Sequence, residues 1–163
     1  MEVLICSILF ILVTFALTRL VKKKRIALSQ AIAVELLFVF IILVIASTVF
    51  TRTSNGIHTF KLIPFWSWWK ALSGKLNYLR EIVLNMLLFL PFGLLLPFAF
   101  QKKISPYYAF LTGTLFSLII ECNQLLLCRG LFEWDDMIDN GIGAMIGCIL
   151  SNKIIKIVNK RRK

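Results

Sequence analysis

The sequence predicts an all-α fold, a polytopic transmembrane helical bundle of about five spans. Three observations point there. Apolar residue types make up 59% of the chain and charged types only 17%. A soluble domain of 163 residues has too little interior to hide that much apolar surface, whereas a bilayer absorbs it. The apolar residues also fall in long continuous runs rather than alternating, and lipid admits only helices and closed barrels. Finally, the basic residues sit in short blocks beside those runs, where they orient a membrane protein and meet anionic headgroups. This patterning argues against nucleic acid as the partner of a chain with net charge +11.

A spanning helix needs roughly 20 mostly apolar residues. The first candidate runs from about Val3 to Val21. It lacks a basic stretch before it and a small-residue cleavage site, so it reads as a retained span rather than a signal peptide. The second runs from about Ala31 to Phe50, the third from Ile82 to Phe100, the fourth from Tyr107 to Leu127. The fifth runs from Met137 to Val158 and has an amphipathic tail. No repeat or low-complexity segment interrupts them, and the whole chain, 1–163, reads as one integral membrane domain.

Orientation follows from Lys and Arg. Arg19, Lys22, Lys23, Lys24, Arg25, Lys102, Lys103 and the tail from Lys153 to Lys163 fall on one side, 13 of the 19 basic residues. That side is expected to be cytoplasmic, which puts the N-terminus outside and the C-terminus inside. Arg52, Lys61, Lys70, Lys75, Arg80 and Arg129 fall on the other. The long outward loop, Thr51 to Arg80, carries Pro64-Phe65-Trp66-Ser67-Trp68-Trp69-Lys70. Three Trp in four residues suit a segment lying at the headgroup level, as an anchor or as a stacking surface for a sugar or amphiphile.

Polar residues inside spans are costly and need a reason. Glu35 lies early in the second span, where it can snorkel. The others gather at the outer ends of three spans. Arg80, Glu81 and Asn85 open the third; Glu121 and Gln124 lie in the outer third of the fourth, with Cys128 and Arg129 at its exit; Glu133, Asp135, Asp136, Asp139 and Asn140 surround the start of the fifth. Two readings compete. In one, a polar pocket opens to the outer leaflet, with Arg80 and Arg129 offering planar forks to phosphate or carboxylate, or the acids holding a cation. In the other, the charges only fix the bundle, with Asp135 as an N-cap and Arg129–Asp136 or Arg80–Glu121 as ion pairs. Gly143 and Gly147 form a small-xxx-small step that lets another helix approach closely. Cys6, Cys122, Cys128 and Cys148 have no metal-ligand spacing and read as packing residues, with a disulfide through Cys128 as the lesser option. His58 is the sole histidine, which argues against a His-based triad or metal site. No cofactor is expected. Glu121 and Asp136 are the acid/base pair of a lesser, enzymatic alternative.

At these residues the sequence resembles the VanZ family. Leu62-Ile63-Pro64-Phe65 is similar to its outer-loop motif, and Arg80 through Asn85 with Leu88-Phe89-Leu90-Pro91-Phe92-Gly93 to its Asn-x-x-x-Phe-x-Pro-x-Gly span. Glu121-Cys122-Asn123-Gln124 followed by Arg129 is similar to its Glu-x-x-Gln and Arg, and Asp135 to Ala144 to its Asp-Asp-x-x-x-Asn-x-x-Gly block. Gly141 and Asp139 depart from the family's usual Thr and apolar residue. The likeness covers about residues 60–150. It implies a bacterial plasma-membrane protein connected with resistance to the lipoglycopeptide teicoplanin. The expected ligand is then a lipid-linked cell-wall intermediate or a lipoglycopeptide, alongside membrane lipids. The alternatives are an intramembrane enzyme acting on a lipid headgroup or cell-wall precursor, and a non-catalytic partner subunit contacting its neighbour through Gly143 and Gly147.

Overall fold

A computed structural model describes residues 2–51, 53–54 and 56–161, and side chains within 6–48, 51, 53–54 and 56–158. Arg52 and the basic residues beyond 158, counted above for orientation, lie outside the described side chains. Among the described residues six α-helices follow in order: α1 (Glu2–Lys22), α2 (Leu28–Ile45), α3 (Trp66–Leu72), α4 (Leu76–Phe100), α5 (Pro106–Leu126) and α6 (Trp134–Arg161). The bundle is all-α, as the continuous apolar runs predict. Among the described residues, four helical segments are long and apolar enough to cross a membrane: Leu28–Thr48, Leu76–Phe100, Pro106–Leu126 and Trp134–Val158.

Besides the short helix α3, the sequence missed three small elements. A single π-helical turn, Ala46–Phe50, continues α2. Two three-residue strands, β1 (Thr59–Lys61) and β2 (Leu131–Glu133), pair in parallel, with Phe60 opposite Phe132. Each strand is too short to announce itself by alternation. The pairing ties the 51–75 loop to the α5–α6 connection, so both loops meet at one end of the bundle.

The helices stop sharply, and the reason recurs. Arg25 N–H bonds to Leu20 O and Lys24 N–H to Val21 O; the same pair of bonds closes α3 at Lys75 and Gly74, α4 at Lys102 and Gln101, and α5 at Arg129 and Cys128. This is the Schellman arrangement, which uses a left-handed residue to satisfy the last carbonyls. Gly74 suits it with φ of 84°, while Lys24 (54°), Gln101 (52°) and Cys128 (52°) adopt it despite a Cβ. At the other end of α5, Pro106 opens the first turn, where its missing N–H costs nothing.

The core lies where α4, α5 and α6 cross, with α2 packed on α4. Phe89 and Phe92 of α4 meet Phe40 of α2 and Phe116 of α5, with ring centroids 5.5–6.1 Å apart. The α4–α6 crossing is closer than any side chain allows. A Cβ on Gly143 would lie 2.1 Å from Met86 O, on Gly147 2.2 Å from Leu90 O, and on Gly93 1.8 Å from Ala144 O. Gly143 and Gly147 thus face this chain's own α4, and their small-residue step is spent inside the bundle rather than on a second chain. All four cysteines are free thiols, Cys148 fully buried and Cys122 exposed.

Candidate functional site at the loop-bearing end

The polar residues singled out in the sequence stand at the end where the loops meet, and most of them are engaged with the chain itself. Asp135, 5% exposed, sits in the first turn of α6, where a carboxylate favours the helix dipole. It is not the N-cap of its own helix, as one reading expected. It reaches instead to the start of α3. Its Oδ1 accepts Phe65 N–H at 2.5 Å, and its Oδ2 accepts Ser67 N–H at 2.7 Å and the Ser67 hydroxyl at 2.6 Å. Phe65, left-handed at φ 61°, and Ser67 thereby gain the partners that a helix start otherwise lacks. One turn on, buried Asp139 accepts the Trp68 indole N–H at 3.0 Å. Two acids of α6 therefore hold α3 from beneath.

The remaining acids join other elements. Asp136 accepts the Asn85 amide of α4 at 2.7 Å. Glu121, 3% exposed, accepts Glu133 N–H of β2 at 3.1 Å. Gln124, equally buried, donates its side-chain amide to Thr48 O in the π turn at 3.0 Å. Ser47 and Thr48 hydroxyls both bond Val44 O. Hydroxyls drawing on that carbonyl and Gln124 drawing on Thr48 O together accommodate the wider turn, a feature often found at functional sites. Asn140 donates to the Ser117 hydroxyl at 2.7 Å. Thr114, Ser117, Glu121 and Gln124 recur at helical spacing, so α5 carries a polar stripe toward the bundle; that 3-4-3 spacing was the signal by which Thr114 and Ser117 were findable.

The cations are placed differently. Arg80 and Lys75 are exposed around the first turn of α4. Arg80 stands on the surface while Glu121 is buried, and the structure does not bring these two together as an ion pair. Arg129, half-buried, follows the end of α5 beside β2. Lys61 forms a 3.0 Å ion pair with Glu133, and its ammonium lies 3.4 Å from the centroid of the Trp66 ring. Trp66 stacks edge-on against Tyr78 at 4.9 Å, fastening α3 to the start of α4. With Ser67 and Trp68 turned inward, Trp69 projects outward at 70% exposure and Phe65 at 50%. Glu121 and Asp136, the acid/base pair of the enzymatic alternative, each have a carboxylate oxygen committed to a donor of the chain. Among the described residues no three His, Cys, Asp or Glu side chains gather to hold a metal ion. Gln124 and Cys128, four apart, do not continue one helix face, because α5 ends at Leu126.

Fold and site together define an α-helical membrane protein whose polar residues converge at one end of the bundle. The VanZ/LLP1 family model matches residues 32–156, and the chain belongs to that family. No curated protein matches it, and no solved structure does.

Proposed function

We propose that the chain is a multi-pass protein of the bacterial plasma membrane, with its N-terminus and loop-bearing end outside. There it binds an amphiphile and thereby contributes to glycopeptide resistance of the teicoplanin type. The ligand is a lipoglycopeptide or a lipid-linked cell-wall intermediate. One observation carries this reading: the acids of α5 and α6 are turned inward onto donors of the chain, while Arg80, Lys75, Phe65 and Trp69 face out, with Glu81 an exposed acid beside them. Asp135, Asp139 and Glu121 are buried, whereas Arg80, Lys75 and Trp69 are exposed. Such a surface suits a ligand with an anionic group and an apolar or aromatic body, because a guanidinium forks onto phosphate or carboxylate and indole stacks. It suits a cation poorly. Lipoglycopeptides and lipid-linked precursors both combine an acyl or prenyl chain with a polar, acid-bearing head.

The test uses protein purified in nanodiscs, with teicoplanin as the probe, and susceptibility of a matched strain at equal membrane abundance. Arg80→Ala and Trp69→Ala are expected to weaken binding about tenfold each, the equivalent of about 1.4 kcal/mol, and to lower tolerance in parallel. Unchanged binding in both variants overturns the placement of the ligand. An unmodified protein that neither binds teicoplanin nor raises tolerance overturns the resistance reading.

A further inference from the structure

A second binding feature lies at the opposite end, between α1 and α2. A groove of about 370 Å³ runs there, within the range of about 300–1,000 Å³ common to ligand sites. Its walls are Phe10, Leu17 and Val21 of α1 and Leu28, Ala31 and Ile32 of α2, nearly all apolar surface. From Phe10 to Lys22 it follows just over three turns of α1, about 18 Å at the helical rise. Toward its inner end the two helices are joined by a hydrogen bond, Thr14 Oγ1 to Glu35 Oε1 at 2.6 Å. That bond uses the one acid of α2 to staple the two helices, and it accounts for Glu35 without snorkelling. The other end opens beside Lys22, which lines it, and the turn continues with Lys23, Lys24 and Arg25, all exposed. Lys24 is the left-handed residue that closes α1, so the four cations are bunched in a tight turn rather than spread along a helix.

We infer that this groove holds one acyl chain of an anionic glycerophospholipid, whose phosphate meets the Lys22–Arg25 turn. The two halves of the site match the two halves of that ligand. The groove takes the chain; the cluster takes the negative head, with about 1 kcal/mol, or about fivefold in affinity, available per basic residue at a membrane surface. A zwitterionic lipid offers the same chain without the net charge. The inference is independent of the proposed function, since it concerns the other end of the bundle and no residue of the candidate site.

The experiment is native mass spectrometry of the detergent-purified full chain with phosphatidylglycerol and phosphatidylcholine of matched acyl chains. Unmodified protein is expected to retain phosphatidylglycerol at least about tenfold better. Joint Lys22→Gln, Lys23→Gln, Lys24→Gln and Arg25→Gln removes that preference. Thr18→Trp, from a groove-lining position on the exposed side of α1, fills the groove and lowers retention of both lipids. Ala31→Phe does the same from the α2 wall if Thr18→Trp fails to fold by helicity and melting. Glycerol 1-phosphate, a head without a chain, does not displace the lipid. Equal retention of the two lipids by the unmodified protein overturns the inference. So does a preference that survives the Gln variant, or displacement by glycerol 1-phosphate. Filled-groove variants that bind phosphatidylglycerol normally show a surface charge effect only and overturn it as well.

Discussion

Removing the Asp135 carboxylate should release α3 while sparing the bundle. The carboxylate accepts three hydrogen bonds, from Phe65 N, Ser67 N and Ser67 Oγ. Hydrogen bonds to an ionised acceptor are each worth about 1.5–3 kcal/mol net. Asp135→Ala does not forfeit all of that, because water reaches the donors unequally. Phe65 is half exposed, so its amide regains a water partner and loses about 1 kcal/mol. Ser67 is 8% exposed, and stranding its amide costs about 2 kcal/mol. The sum, about 3 kcal/mol, multiplies the open fraction of α3 about a hundredfold. Phe65 adds to this, since its left-handed backbone costs about 1 kcal/mol and the Asp135 bond is what opposes it. Hydrogen exchange reads the effect directly: amides in 67–72 should exchange about a hundredfold faster, with α4 and α6 protection unchanged. Asp135→Asn should fall between, because one amide oxygen still accepts but the NH2 group faces the Ser67 N–H donor. If Asp135→Ala leaves protection of 67–72 as it was, the carboxylate is not what holds α3, and the proposed outward surface loses its foundation.

Other perturbations follow from the same geometry. Gly143→Ala or Gly147→Ala would force α6 off α4, because the new Cβ meets backbone atoms 2.1–2.2 Å away that cannot rotate aside; a loss of about 3 kcal/mol or more is expected, and a melting temperature in detergent equal to the unmodified protein would refute the crossing. Gln101→Gly should gain about 0.5–1 kcal/mol, since glycine adopts the left-handed cap without a Cβ penalty; no rise in melting temperature would show that the cap is unstrained. A double-mutant cycle on Asn85→Leu and Asp136→Leu should return a coupling of about 1.5–3 kcal/mol, and additive effects would show that the 2.7 Å contact contributes nothing. Lys61→Met should cost only about 1 kcal/mol, because the pair with Glu133 is partly solvated and the Trp66 contact adds little more; a cost near that of Asp135→Ala would contradict this.

Much of the bundle was legible because long apolar helices advertise themselves by uninterrupted apolar length. The boundaries were less so. The third candidate span was placed from Ile82, whereas α4 begins at Leu76, since the extra turns carry Asn77, Tyr78, Arg80 and Glu81 and stand outside the apolar run. The residues that gather at the loop end were visible as costly polar side chains near span ends. Their partners were not. Nothing in the spacing of Asp135 says that it caps a helix 68 residues earlier in the chain, and a serine within Trp66-Ser67-Trp68-Trp69 carries no mark of burial. Contacts of that range depend on how α4 and α6 cross, and the glycines that set the crossing speak only of closeness, not of which helix comes close. The strands are three residues each, below the length at which period-two patterning is readable.

The sorting of charge at the loop end bears on how its residues should be tested. Asp135, Asp136 and Glu121 each serve a donor on another element, so substituting any of them disturbs α3, α4 or β2 before it disturbs a ligand. Loss of resistance in Asp136→Asn alone would therefore not separate a binding role from a scaffolding one. Arg80 and Trp69 lack that ambiguity: both are exposed, and neither holds another element in place. A binding defect in Arg80→Ala with unchanged exchange protection of α3 marks a contact with ligand. The same defect in Asp135→Ala, accompanied by faster exchange in 67–72, marks the loss of the surface on which that contact is built. The inward acids and Arg80 are thus distinguishable by one pairing of measurements, binding against local protection, and a result in which Arg80→Ala also loosens α3 would put Arg80 among the scaffold.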